Sequence, residues 1–316
     1  MERGLVMGDI SIELNKIQKR LGDRQVLKDI TFKVEKGDIF GFLGPNGAGK
    51  TTTIRTIMGL YRADGGTVRI LGGNPDNADI RQKVGFVLDR DGLYSSLSAE
   101  ENLRCFLQLY GKPVTDKAVR DALMAVGLEN RAHDKVGAFS KGMRQRVAIA
   151  RSIVHDPEVV ILDEPTSGVD PTEQINLREY LVKISKERGK TIFLSTHNMD
   201  EVQKICNKIA ILNKGCIQVT GDLNEIEKQY GQDKITVTVG VDLSEKQITQ
   251  LKKSKELGFE QQNGNRLVFS PQEGIKTGKI VQVLSEMNIE TDEITSNQMN
   301  LEDMYAAVIK EGEKDE

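Results

Sequence analysis

Residues 44–52 read GPNGAGKTT and satisfy the spacing G-x-x-x-x-G-K-[ST]. Glycines at these positions let the backbone curl tightly, so that successive N–H groups turn inward toward a phosphate. Lys50 adds a movable positive charge for β- and γ-phosphates, and Thr51 offers a hydroxyl ligand for Mg²⁺. The flanks agree: Ile39–Leu43 reads as a buried strand and 52–59 as a helix. Phosphates would then sit at a helix N-terminus, where unpaired N–H groups and the helix dipole favour anions. The nucleotide-binding candidates are Gly44, Pro45, Asn46, Gly47, Ala48, Gly49, Lys50, Thr51 and Thr52. The competing reading is a glycine-rich turn that binds nothing, and it does not explain why strand, loop, Lys and Thr fall in register. The loop alone does not say which machine uses the nucleotide.

The chain has 316 residues, room for two domains or for one large domain with an appendage. A formal net charge of −3 gives no footprint for nucleic acid. The three cysteines form no C-x-x-C pair, which argues against a disulfide framework and for a reducing, cytoplasmic compartment. No apolar run is long enough to span a bilayer, and the first residues lack the apolar core of a signal peptide. Work at a membrane would therefore go through partners.

Patterning divides the chain. Residues 9–43 alternate apolar and polar positions (Ile10, Ile12, Leu14, then Ile30, Phe32, Val34) and predict strands. Residues 96–155 turn helical, with Ser98 and Glu101 forming a capping box and Thr115 capping a second helix that Gly127 ends. From 158 onward strands and helices alternate, which implies a largely parallel sheet covered on both faces. Asp170 is expected to cap a helix at Pro171, with Glu173 completing the box. A hairpin is expected through Lys214-Gly215. Beyond 234 the order β-α-β-β-α-β-α, with an Asn263-Gly264-Asn265 turn and Asn300 as the last cap, predicts a ferredoxin-like domain at 234–312. The fold class expected is thus α/β: a P-loop NTPase unit over 9–230, with a helical stretch at about 96–155, followed by a small α+β domain.

Further motifs follow the loop. Residues 159–164 form an apolar strand ending in Asp163 and Glu164. Asp163 can hold a Mg²⁺-bound water, and Glu164 can polarise the water that attacks a γ-phosphate. Before it stands Phe139-Ser140-Lys141-Gly142-Met143-Arg144-Gln145-Arg146. This segment resembles the L-S-G-G-Q signature of ATP-binding-cassette ATPases. Residues 167–170 are similar to the family's D-loop, and His197 after Ser195-Thr196 to its switch histidine. The motifs run in the family's order, and the resemblance covers 9 to about 230.

The resemblance implies an ATPase using ATP and Mg²⁺, two copies (or this chain with a second cassette) closing head to tail. Each site would pair Lys50, Asp163, Glu164 and His197 of one copy with Ser140 and Gly142 of the other. It also implies a separately encoded membrane permease as partner, with the chain peripheral on the inner face of the membrane. Three departures stand out. Leu21 occupies the place of the family's adenine-stacking aromatic. Asp89 replaces the Q-loop glutamine, keeping an oxygen for Mg²⁺. Lys141 and Met143 alter the signature. The last two are familiar in the bacterial type-2 exporter branch, so an exporter is expected. Leu93, Tyr94 and Leu97 either dock the permease or pack under the helical subdomain. The rival is a soluble cassette ATPase acting on ribosomes or in iron–sulfur assembly. The ribosome type usually carries paired cassettes or a long coiled coil, whereas this sequence has one cassette and no heptad run; the extra domain at 234–312 and the exporter-like Q-loop disfavour the iron–sulfur type.

Overall fold

The computed structural model describes residues 9–88, 91–230, 234–240, 242–271, 275, 277–297 and 301–312. Two compact units emerge, Met1–Leu223 and Asn224–Glu316.

In the first unit the chain runs β1 (Ile10–Leu21), β2 (Arg24–Glu35), β3 (Ile39–Leu43), α1 (Lys50–Ile57), β4 (Gly65–Ile70), α2 (Ala78–Arg81) and β5 (Val84–Val87). The helical stretch follows as α3 (Ala99–Leu109), α4 (Asp116–Ala125) and α5 (Lys141–Ile153). Then come β6 (Val159–Asp163), α6 (Pro171–Arg188), β7 (Thr191–Thr196), α7 (Met199–Ile205), β8 (Lys208–Asn213) and β9 (Cys216–Asp222). Strands β2-β1-β4 form an antiparallel sheet, and β5-β6-β7-β3-β8-β9 a second sheet, parallel except for β9. The inner faces of the two sheets share one core. Phe32 of β2 stacks on Phe40 at 5.3 Å and on Phe193 at 6.0 Å between ring centroids, and offset stacking adds to the apolar area buried there. The central strands β3, β6 and β7 are buried at every position, as strands covered on both faces must be.

The helical stretch has its own core, with Leu103, Leu107, Leu123 and Val147 fully or almost fully buried. Ser98 accepts from the Glu101 N–H while Glu101 accepts from the Ser98 N–H, so the capping box closes. At α6 the expectation fails in part. Asp170 accepts from the Glu173 N–H at 3.1 Å, but the Glu173 carboxylate turns to Arg146 at 3.0 Å instead of completing a box. A charged partner on α5 outcompetes one backbone N–H. Helix α1 also begins at Lys50, two residues before the expected start, which places Lys50 and Thr51 in its first turn. Lys214 and Gly215 both take positive φ, the geometry of a tight hairpin turn, between β8 and β9.

Helix α8 (Leu223–Tyr230) is followed by β10 (Lys234–Val239), α9 (Glu245–Lys253), β11 (Phe259–Asn263), β12 (Arg266–Phe269), α10 (Thr277–Glu286), β13 (Thr291–Asn297) and α11 (Leu301–Gly312). The sheet order β11-β12-β10-β13, antiparallel throughout, is that of a split β-α-β fold. Val237, Leu251, Leu267, Phe269, Ile280 and Leu284 form its core. Asn300, the expected cap of the last helix, lies outside the described residues.

Candidate functional site

The strand order β6-β7-β3 brings three C-terminal strand ends side by side: Asp163 pairs in register with Ser195, and Leu43 with Thr196. Ligands of open α/β sheets bind at such ends. The loop after β3 leads into α1, with Gly47 at φ +81° and Gly49 at φ +118°. A side chain at Gly49 would also press on Leu27, with its Cβ 2.9 Å from Cδ2. Pro45, Asn46, Gly47, Gly49, Lys50, Thr51 and Thr52 line an open cleft of about 370 Å³, together with Leu21, Arg24, Val26, Asp163 and Glu164. Gly44 and Ala48 lie behind it: a Cβ on Gly44 would stand 2.5 Å from the Leu212 carbonyl oxygen, and Ala48 is buried.

Lys50 is almost wholly buried. Its ammonium donates to the Gly44 carbonyl at 2.7 Å and the Pro45 carbonyl at 3.4 Å, and lies 3.5 Å from Glu164 Oε1. Buried ammonium groups need such partners, and phosphate oxygens offer the same bonds with more charge. The Thr51 hydroxyl donates to Asp163 Oδ2 at 3.1 Å, and the Ser195 hydroxyl donates to Asp163 Oδ1. A hydroxyl and a carboxylate side by side are the hard oxygen donors that Mg²⁺ prefers, so the residues fit that ion. Glu164 sits at φ +51°, a conformation disfavoured for a residue with a side chain. Its N–H donates to the Ser195 carbonyl at 3.0 Å. The turn aims the carboxylate at His197, whose Nδ1 lies 2.9 Å from Oε2 and 3.0 Å from Oε1. His197 is itself 60% exposed at the mouth. Leu21, 42% exposed, stands at the far end of the same cleft.

Ser140 and Gly142 do not line this cleft. Ser140 caps α5, accepting from the Met143 N–H at 3.2 Å. A Cβ on Gly142 would meet only ordinary contacts with Val169 and Gly168, so nothing within the chain demands a glycine there. Asp89 lies outside the described residues. Just beyond it Asp91 pairs with Arg144 at 2.8 Å.

Sequence reasoning missed Ser195, whose hydroxyl holds Asp163, and Arg151. The Arg151 guanidinium donates to the carbonyls of Phe86 at 2.8 Å and Gly92 at 3.2 Å, under the Phe106 ring. Arg144 and Arg151 lie seven residues apart on α5, two turns along one face, and that spacing was visible. The signal for Ser195 was a polar residue next to the end of a buried strand.

The family model described as ABC transporter matches residues 27–167. The ABC transporter ATP-binding protein YhcH of Bacillus subtilis strain 168 is 41% identical over 206 residues, covering 65% of this chain and 67% of that protein. The Nod factor export ATP-binding protein I of Cupriavidus pinatubonensis is 39% identical over 231 residues, covering 72% and 71%. The chain belongs to the ATP-binding proteins of ABC transporters. It is a cassette that binds and hydrolyses ATP. Its fold matches a dimeric ATP-binding cassette captured after hydrolysis with ADP and Pi. That match has a TM-score of 0.62 at 28% identity, covering 67% of this chain and 98% of the other. No described helix of the cassette is long and apolar enough to cross a membrane.

Proposed function

We propose that this cassette is the ATP-hydrolysing subunit of an exporter, closing head to tail with a second copy and driving a separate permease from the inner face of the membrane. Residues 9–230 would form the nucleotide-binding domain and 234–312 an accessory domain. The observation that carries the reading is the geometry around Glu164. Its carboxylate lies within hydrogen-bonding distance of His197 and 3.5 Å from Lys50. A γ-phosphate drawn to Lys50 would displace the Gly44 and Pro45 carbonyls from the ammonium. Glu164 would then accept the proton of the attacking water, as the bond between the γ-phosphorus and the bridging oxygen breaks to release ADP and phosphate. His197 would contact the γ-phosphate. Thr51 and Asp163, with Asp89, would hold Mg²⁺, which supplies charge neutralisation for the β- and γ-oxygens. Leu21 would pack on the base. Ser140 and Gly142 lie away from their own chain's cleft, which fits a role in the site of a second copy.

A groove of about 390 Å³ suits a permease segment. Met58, Leu60, Ile70, Phe86, Leu109 and Tyr110 line it, with Leu60 56% and Leu109 67% exposed. Its rim lies next to the strand leading into Asp89. Tyr94 is also exposed and would belong to this surface, whereas Leu93 packs against the helical core and Leu97 is half-buried. Export is favoured by the Nod factor export relative. Purification of the chain from native membranes tests the reading. A polytopic membrane protein should accompany it, and Leu109→Asp should release that partner while leaving ATP binding intact. Recovery with ribosomes or scaffold proteins instead would overturn it.

A further inference from the structure

Glu201 has no part in the chemistry above, yet its carboxyl is wholly removed from solvent. It sits in the first turn of α7, four residues beyond His197. The Thr166 hydroxyl donates to Glu201 Oε2 at 3.0 Å. Glu201 Oε1 has no hydrogen-bond partner among the described residues. A buried carboxyl with one oxygen unpartnered is costly, and the side chain could have been a leucine if filling space were the need. Burial first pushes its pKa up and the charge of Glu164 adds to this, while the Thr196 and Thr166 hydroxyls oppose it. Both ends of this contact are anchored. Thr166 follows Glu164 by two residues, and its carbonyl accepts from the Gln174 amide at 3.4 Å. On the other side the Glu201 N–H donates to Asn198 Oδ1 at 3.2 Å, and the Asn198 N–H donates to the Thr196 hydroxyl at 3.0 Å. His197 lies between those two residues.

The geometry points to Glu201 as a positioning residue that, through Thr166, holds the turn carrying Glu164 in register with the turn carrying His197. The inference rests on the roles given above to Glu164 and His197. It has a consequence for the paired assembly. Residues 167–170 follow Thr166 directly, so a second copy pressing on them would be felt at His197 through the same hydrogen bond.

Steady-state ATP hydrolysis by the full chain, with ATP binding measured separately, tests this. Glu201→Ala should lower kcat about tenfold or more while ATP affinity stays within about threefold, the signature of lost alignment at the reacting centre. Glu201→Gln keeps an amide oxygen for the Thr166 hydroxyl and should restore kcat to within about threefold of the parent. Thr166→Val should reproduce the loss and Thr166→Ser should not. The Glu201→Ala, Thr166→Val double variant should be no worse than either single one, because both remove the same contact. Should Glu201→Ala fail to fold, the Val and Ser comparison at 166 decides alone. Unchanged kcat in the Ala or Val variants, a proportional loss of ATP binding, or additive losses would overturn the inference. Glu164→Gln run in parallel separates the two levels. If that variant hydrolyses normally, the site reading fails. If it is inactive while Glu201→Ala is fully active, only the role of Glu201 fails.

Discussion

At the scale of single residues, the cleft is uneven. Its phosphate end is crowded with fixed donors: Lys50 is held by two carbonyls, and Asp163 by two hydroxyls. Its other end offers Leu21, an aliphatic side chain at the end of β1, held there by the Leu21–Arg24 pairing with β2. A leucine contributes area but no π-face to a base. Leu21→Tyr should therefore tighten ATP binding by about 0.5–1.5 kcal/mol, roughly twofold to twelvefold in Kd. Titration of both proteins with ATP measures it, and equal affinities would remove Leu21 from the base site. The phosphate-end residues were legible because each belongs to a motif with its own spacing. Ser195 was not, since its role depends on β7 lying beside β6, which local sequence does not reveal.

Among the elements, α5 does most of the connecting. It is capped by Ser140, grips the segment after β5 through Arg144 and Arg151, and packs its last turn on β5. The packing is close enough that a Cβ on Gly85 would overlap the Ser152 carbonyl oxygen. Gly85→Ala should cost on the order of 2 kcal/mol, because backbone must move to admit one methyl group. A urea midpoint near that of the parent would show that the strand and helix can part more easily than their contact implies. Just past α5, His155 is buried against the Tyr110 ring at 3.9 Å, and burial pushes its pKa down to about 4. Between pH 6.5 and 4 the unfolded chain takes a proton there that the folded chain refuses, so stability falls as pH falls through that window. At pH 5 the loss from this group is about 2 kcal/mol relative to pH 7. Urea unfolding at both pH values should show that extra fall in the parent and not in His155→Phe. Equal falls would contradict it. The caps at Ser98 and Thr115 were readable from the sequence, whereas the short helices α2 and α7 were not expected. What local patterning missed was competition between partners. Glu173 could close a cap or pair with Arg146, and only the approach of α5 decides between them.

For the whole molecule, the fold gathers Lys50, Thr51, Asp163, Glu164 and His197 together and leaves Ser140 and Gly142 outside the cleft. The order of the motifs predicts these residues as parts of one chemistry, whereas the position of Ser140 and Gly142 outside the cleft depends on the tertiary path of α5, which motif order does not carry. A site split in this way should be complete only when two copies meet, and hydrolysis should then part them. Glu164→Gln keeps the shape of the side chain and removes the carboxylate proposed above to take the proton. The most direct measurement is light scattering of purified Glu164→Gln with and without ATP, alongside phosphate release. The variant should be monomeric alone and dimeric with ATP, retaining one nucleotide per chain and releasing phosphate at least about a hundredfold more slowly than the parent. A monomer that keeps hydrolysing ATP at the parental rate would contradict both the shared site and the role of Glu164.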